Sequence, residues 1–127
     1  LFAELSSSVK AFFVAMAEIG MSEQVTLFTQ SDFARTLTSN GDGSDHAWGG
    51  TQMVIGGAVR GGQIYGDYPV LEMGGALEIG GGIMIPTISS DQYAATLASW
   101  FGVSPTNLPA VAPNVVNFST PNLGFMA

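Results

Sequence analysis

Residues 25–50 hold the side chains best suited to metal and anion chemistry. The only histidine of the chain, His46, directly follows Asp45. A carboxylate and a neutral imidazole are donors that Zn, Mn or Fe ions accept. Such an ion can polarise a phosphoryl or sulfuryl oxygen and activate a water molecule. The structural alternative is that Asp45 caps a turn while His46 packs beside Trp48.

Two more charged residues lie three positions apart in the same segment, Asp32 and Arg35. Asp32 is a candidate third metal ligand, and the planar guanidinium of Arg35 is suited to binding an anionic substrate. Alternatively, the two side chains form an ion pair that fixes the loop. Ser31 lacks the Gly-x-Ser-x-Gly setting of a serine nucleophile, so the catalytic residues stay unassigned. Residues 40–45 offer oxygens at alternate positions but no downstream bidentate Glu, so calcium is less favoured than Zn, Mn or Fe.

A helix and a strand are predicted before this segment. Apolar residues three and four positions apart predict a helix over residues 4–19. A β-rich run predicts a buried strand over residues 25–29, and the carboxyl end of such a strand is where ligands bind in open α/β sheets. Further short strands are expected at residues 52–55, 63–65, 70–71 and 83–85.

A second helix is predicted near the C-terminus. Ser89 with Gln92 three positions later is a capping-box pattern, which indicates a helix start. Gly102 and Pro105 predict its end. Its buried side is expected to consist of Tyr93, Leu97, Trp100 and Phe101. Residues 103–127 contain four prolines and no periodicity, and they predict an irregular tail.

Composition excludes several classes of protein. The 127 residues are enough for one domain, and their net charge of −7 would repel a phosphate backbone, which argues against nucleic-acid binding. No apolar run approaches the ~18 residues that span a bilayer, so an integral membrane protein is not expected. Without cysteine there is neither a disulfide nor a thiolate site. The mean hydropathy of +0.34 predicts apolar surface that meets a companion chain or a second copy.

Several segments, in the right order, resemble a bacterial family known as domain of unknown function 1501. Its members show Ser-(Glu/Asp)-Phe-Gly-Arg-Thr, then Asp-His, then Gly-Gly-Ala-Val-(Lys/Arg)-Gly-Gly and Tyr-Gly. The corresponding segments here are residues 31–36, 45–46, 56–62 and 65–66, followed by agreement at residues 91–97, 100–103, 117–118 and 123–126. The resemblance covers nearly the whole chain.

That family is similar in fold to the alkaline-phosphatase and sulfatase superfamily. The resemblance implies an α/β fold, a three-layer α/β/α sandwich, in which residues 1–127 form a single partial domain from its C-terminal part. A missing N-terminal portion, or a companion chain, would supply the remaining strands and the nucleophile. The chain starts at Leu1 without an initiator Met, which also suggests a part of a longer protein.

The same resemblance implies a periplasmic or secreted protein that hydrolyses phosphate or sulfate esters with a divalent metal. Asp45, His46 and Asp32 would be metal ligands and Arg35 an anion-binding residue, with the isolated chain inactive. The chain departs from the family pattern in two places. Ala34 replaces the usual glycine, and residues 51–52 are Thr-Gln where relatives often have a histidine. The second departure favours the alternative, a non-catalytic binding or assembly module that keeps the fold.

Overall fold

Residues 1–127, the whole chain, are described by a computed structural model with helices and small antiparallel sheets, which confirms the mixed α/β class. The helices and strands are α1 (Phe2–Glu18), β1 (Thr26–Phe28), β2 (Ala34–Arg35), β3 (His46–Ala47), β4 (Val54–Gly56), α2 (Ser90–Trp100) and α3 (Leu108–Val111), with 3-10 helices at Pro105–Asn107 and Pro113–Asn117. None of the helices combines the length and the apolar character that crossing a membrane requires.

The two strand pairs are nested. β1 pairs antiparallel with β4, and the β2–β3 pair lies within the segment that connects them. The Oγ1 of Thr29 donates to Oε1 of Gln52 at 2.8 Å and accepts the Met53 N–H at 2.8 Å, which closes the base of the connection. Residues 30–51 therefore leave the β1–β4 pair and return to it.

β1 forms where the sequence predicts a strand, but its surroundings differ from the prediction. It has one neighbour, β4, in a two-stranded antiparallel sheet. Its side chains are half-buried or exposed, and Phe28 is 46% exposed. A strand with a single neighbour and no covering layer cannot be buried on both faces. The prediction of a buried strand is therefore wrong for this chain.

α1 also forms where predicted, and Gly20 follows it with a φ of 72°, a conformation that ends helices. The apolar stripe is present, yet the helix contains no buried residue. Phe12 and Ile19 are exposed, and Phe13 is half-buried. The apolar side of α1 is thus mostly uncovered.

α2 begins with the predicted capping box. The Ser89 Oγ accepts the Asp91 N–H at 3.0 Å, and the Gln92 Oε1 accepts the Ser89 N–H at 3.1 Å. One turn later, Thr96 is fully buried. Its hydroxyl donates to the Gln92 carbonyl at 2.8 Å and accepts the Leu123 N–H at 2.9 Å, which ties α2 to the C-terminal segment.

Residues 103–127 are more ordered than the irregular tail that the sequence predicts. Residues 105–117 form a 3-10 helix, α3 and a second 3-10 helix, and they pack on α2. The buried members of this first cluster are Ala95, Leu108, Ala112 and Val115. Phe101 is 83% exposed, so its predicted place on the buried side of α2 is wrong. The tail covers α2 along Ala95 and leaves the C-cap residue outside.

A second buried cluster joins the middle of the chain to its end. It consists of Ala58, Phe125 and Met126. The Phe125 ring lies 5.7 Å from the ring of Tyr65 and 5.7 Å from the ring of Tyr93. Main-chain hydrogen bonds accompany the contact, because the Arg60 N–H donates to the Phe125 carbonyl at 2.9 Å.

The short strands predicted at residues 63–65 and 70–71 do not form, and residues 83–85 provide only a single bridge, from Met84 to Glu78. Glycines at 74 and 80–82 adopt positive φ. Such residues turn the chain every few positions, so no extended run persists between them. The segment is a series of turns, and its position beside the β2–β3 pair gives it a supporting role.

Candidate functional site

Residues 33–48, here called the site hairpin, contain three of the four predicted site residues. Arg35 on β2 lies directly opposite His46 on β3. Residues directly opposite each other in an antiparallel pair share a face, with Cβ atoms about 4.5–5.5 Å apart. The pairing extends one residue further, because the Thr36 N–H donates to the Asp45 carbonyl at 3.0 Å. The register of the hairpin therefore brings the guanidinium and the imidazole to the same side.

The ring of Phe33 completes this side of the hairpin. The His46 imidazole stacks on it, with centroids 3.9 Å apart and planes 12° apart. The Arg35 Cζ lies over the same ring, 5.1 Å from its centroid. All three residues are exposed to solvent, and we call them the Arg35–His46 face. The sequence reasoning did not single out Phe33, although it stands two residues before Arg35 in an extended segment, a spacing that places both side chains on one face.

Arg35 is held by neutral groups. Its Nη1 donates to the Ser44 carbonyl at 2.6 Å. The one ion pair of the chain joins the N-terminus to Glu4, so the alternative of an Asp32–Arg35 ion pair is wrong. The other N–H groups of the guanidinium have no acceptor within the chain. Arg35 therefore presents an uncompensated positive charge to solvent.

The predicted metal ligands are not brought together. The Asp45 Oδ1 accepts from Nδ2 of Asn40 at 2.8 Å, within the hairpin loop. Because consecutive residues of an extended strand direct their side chains to opposite faces, Asp45 turns toward the loop while His46 lies on Phe33. The carboxylate of Asp32 is exposed and forms no ion pair.

No three His, Cys, Asp or Glu side chains of this chain are grouped so that they could hold a metal ion. Carboxylate and imidazole donors suit Zn, Mn or Fe ions, but the donors of this chain are not grouped so that they could share one ion.

The ring that packs on His46 also differs from the predicted one. Phe33, and not Trp48, stacks on the imidazole. Trp48 is 70% exposed.

Residues 57–84, here called the glycine-rich segment, contact the hairpin at their C-terminal end. The Leu37 N–H donates to the Gly82 carbonyl at 2.9 Å, and the Thr38 Oγ1 donates to the Gly81 carbonyl at 2.6 Å. On the other strand, the Gly49 N–H donates to the Met84 carbonyl at 2.9 Å. The start of the hairpin loop and the residue that follows the hairpin are thus tied to residues 81–84.

A carboxylate organises this supporting segment. Glu78 accepts the N–H groups of Gly82 at 2.7 Å, Gly80 at 2.9 Å and Gly74 at 3.0 Å. The hydrogen bond from Gly82 is the largest cause of a lowered pKa of the Glu78 carboxyl, with further contributions from Gly74 and Gly80 and some opposition from desolvation. The ionised form is therefore the one that holds the segment.

Substituting Glu78→Gln is expected to loosen residues 74–82, because a neutral amide oxygen is a weaker acceptor than a carboxylate. Since the folded pKa is lowered, the stabilisation is complete above the pKa of the unfolded chain and is lost as pH falls through the folded value. The amide resonances of Gly80 and Gly82 in proton–nitrogen NMR spectra should follow this titration.

The matched control is Glu72→Gln, which removes the same charge from a side chain whose carboxylate accepts no hydrogen bond from this segment. Glycine resonances that titrate alike in both variants and in the parent would contradict the assigned role of Glu78.

Comparison with known proteins gives one match. The model of a family described as "Protein of unknown function (DUF1501)" matches residues 1–108, which include the site hairpin, the glycine-rich segment and α2. Neither a curated protein nor a solved structure matches the chain. A family match over more than half of the residues, in agreement with the motifs of the hairpin, leads to one conclusion: the chain belongs to the DUF1501 family.

Proposed function

We propose that this chain supplies the substrate-binding rim of an enzyme that hydrolyses phosphate or sulfate esters. The observation that supports this most strongly is the state of Arg35. The chain has ten acidic and three basic residues, yet no carboxylate pairs with this guanidinium. It is held in place by a carbonyl oxygen and an aromatic ring instead.

A guanidinium held in this way can bind two oxygens of an anion at once. Planar forked donors match the geometry of phosphate and sulfate groups, and charge-assisted hydrogen bonds are about twice as strong as neutral ones. A donor that is already oriented stabilises negative charge as it develops on the ester oxygens during hydrolysis. Arg35 would therefore orient the ester and stabilise its charge, and the attacking nucleophile would come from elsewhere in the protein.

The larger architecture that we propose is the three-layer α/β/α sandwich of the alkaline-phosphatase and sulfatase superfamily. Three features support further strands and helices around this chain. β1 has a single neighbour, α1 buries none of its residues, and the Thr26 hydroxyl in β1 is buried without a hydrogen-bond partner. An N-terminal portion or a companion chain would complete the sheet, and a homo-oligomer would cover apolar surface in the same way. We expect the full-length protein to act in the periplasm or outside the cell, as its resemblance to that superfamily implies.

Metal binding by Asp32, Asp45 and His46 stays a prediction. These side chains do not converge in this chain, so no catalytic step is assigned to an ion here. Metal analysis of the full-length protein and of its Asp45→Ala and His46→Ala variants tests the prediction separately. Unchanged metal content in both variants would reject these ligands.

The experiment for the proposed function is turnover of p-nitrophenyl phosphate and p-nitrophenyl sulfate by the full-length protein. Arg35→Gln is expected to lower kcat/KM about 10²-fold or more, because a preorganised donor to the developing charge is lost. Arg60→Gln is the matched control, since it removes the same charge from a residue outside the hairpin. Equal activity of the two variants, or turnover by residues 1–127 alone, would refute the proposal.

A non-catalytic binding or assembly module is the second candidate, and one observation favours it. Gln52 stands near the position where the resemblance leads us to expect a histidine, and its side chain is engaged with Thr29 at the base of the site hairpin. In the present chain Gln52 has this structural role, so the position does not provide a metal ligand. A full-length protein that forms a stable complex with a companion chain but turns over neither ester would support this candidate.

A further inference from the structure

We propose that His46 is the second donor of an oxyanion-binding pair with Arg35, on the ring of Phe33, and that its ligand is a tetrahedral phosphate or sulfate group. This inference rests on the proposed function and gives His46 a role at the same site. The assignment differs from that of a metal ligand beside Asp45, because it follows the partners that the hairpin gives to the imidazole.

The imidazole of His46 is held in one orientation but forms no hydrogen bond within the chain. Its stacking on Phe33, with planes 12° apart and centroids 3.9 Å apart, restrains the ring. The side chain is exposed and neither donates nor accepts a hydrogen bond within the chain. A neutral imidazole always has one N–H donor, so it can bind an anion at any pH near neutrality.

Arg35 has free N–H donors on the same face as the imidazole. One N–H group is used by the Ser44 carbonyl, and the rest are free. Arg35 and His46 are directly opposite each other in the antiparallel pair, with Cβ atoms about 4.5–5.5 Å apart, so their side chains start from neighbouring points on one face. That is the arrangement in which one tetrahedral oxyanion could accept from both. Because the ring of Phe33 restrains both side chains, little rotamer freedom remains to be lost on binding.

The nearby carboxylate of Asp45 does not compete for these donors. It is turned toward the loop and bonded to Asn40. The other two basic side chains, Lys10 and Arg60, lie in α1 and in the glycine-rich segment, so they do not form part of this face. In a chain of net charge −7, the Arg35–His46 face is the one place where a cation and an imidazole donor adjoin.

The test uses His46 as its own reporter, since it is the only histidine. Its imidazole resonances are followed by NMR while the chain is titrated with inorganic phosphate, with sulfate, or with chloride at equal ionic strength. Phosphate and sulfate should shift these resonances to saturation, and chloride should not. The relative affinities for phosphate and sulfate show which ester the face prefers.

Two variants and one control separate binding from structure. Arg35→Gln is expected to weaken phosphate binding about ten-fold or more, because a hydrogen bond to a charged group is lost, whereas Arg60→Gln should bind like the parent. His46→Phe keeps an aromatic ring on Phe33 but removes the donor. Calorimetry should show its phosphate affinity reduced about three- to ten-fold, the effect of one hydrogen bond.

Several results would overturn the inference. His46 resonances without the ring-current shift expected from Phe33 would mean that the stack does not exist. Undiminished phosphate binding by His46→Phe would make the histidine merely structural. A response of His46 to Zn²⁺ that Asp45→Asn abolishes, together with no response to phosphate, would restore the metal-ligand assignment. If the Arg35–His46 face binds phosphate but the full-length protein turns over neither ester, this inference stands and the proposed hydrolase is rejected. If the full-length protein turns over an ester but the Arg35–His46 face does not bind phosphate, the hydrolase stands and this inference is rejected.

Discussion

Replacing Phe125 with alanine is expected to lower the free energy of unfolding by about 3–5 kcal/mol, the usual cost of deleting a buried aromatic ring. Phe125 is 3% exposed and lies between the rings of Tyr65 and Tyr93. Those contacts join the glycine-rich segment, α2 and the C-terminal end. Because small domains are stable by only about 5–15 kcal/mol, this one change should remove a large part of the total.

Urea denaturation followed by circular dichroism measures the effect, and Phe101→Ala provides the matched control. The same ring is deleted there from a residue that is mostly exposed, so the free energy of unfolding should change by no more than about 0.5 kcal/mol. Similar losses in the two variants would show that the second buried cluster does not stabilise the chain as described.

Gly82→Ala is the second large expected effect. Gly82 has a φ of +82°, and a Cβ there would lie 2.7 Å from the Leu37 nitrogen and 2.8 Å from the Thr38 nitrogen. The left-handed conformation costs about 1–2 kcal/mol in a residue with a Cβ. Relief of the contact with main-chain atoms adds about 1–3 kcal/mol, since neither nitrogen can move without displacing the hairpin loop. We expect a total loss of stability of about 2–5 kcal/mol.

The same substitution should disturb the Arg35–His46 face, because the loop that connects its two strands is tied to residues 81 and 82. The control is Gly81→Ala, where φ is +65° but no atom lies within 4 Å of the added Cβ. That variant should show only the conformational cost and should keep the His46 resonances of the parent. If Gly82→Ala and Gly81→Ala behave alike in both measurements, the close approach of the glycine-rich segment to the hairpin is not real.

The sequence predicts α1 and the start of α2, because both depend on patterns of residues close together in the chain. The apolar stripe located α1, and the capping box of Ser89 and Gln92 located the start of α2. The partner of β1 was not predictable in the same way. Its pairing with β4 depends on residues distant in sequence, and a short β-rich run does not reveal whether it will lie inside a sheet or in a two-stranded pair.

The prolines of residues 103–127 allow two predictions, an irregular segment or the start of a helix. Pro105 and Pro113 contribute to the prediction of an irregular tail, because proline interrupts helices. Proline is also favoured at the first position of a helix, where its missing N–H costs nothing. Both prolines occupy that position in the 3-10 helices of the tail.

The sequence places Arg35 and His46 in one polar segment, and the hairpin register places them opposite each other. Asp45 and His46 are adjacent in sequence, but the structure gives their side chains different partners. In an extended segment, neighbours point apart, and the relevant partner is the residue opposite on the other strand. That partner depends on the hairpin register, which is set by the loop between β2 and β3 and its contacts with residues 81–84.

The nested strands have a consequence for how such a protein changes over generations. Residues 30–51 begin and end at the bonded pair of Thr29 and Gln52, and no member of either buried cluster lies between them. Substitutions on the exposed side of this excursion can therefore change its surface without weakening the clusters that keep the chain folded. The surface chemistry of residues 30–51 can vary while the packing elsewhere in the chain is kept.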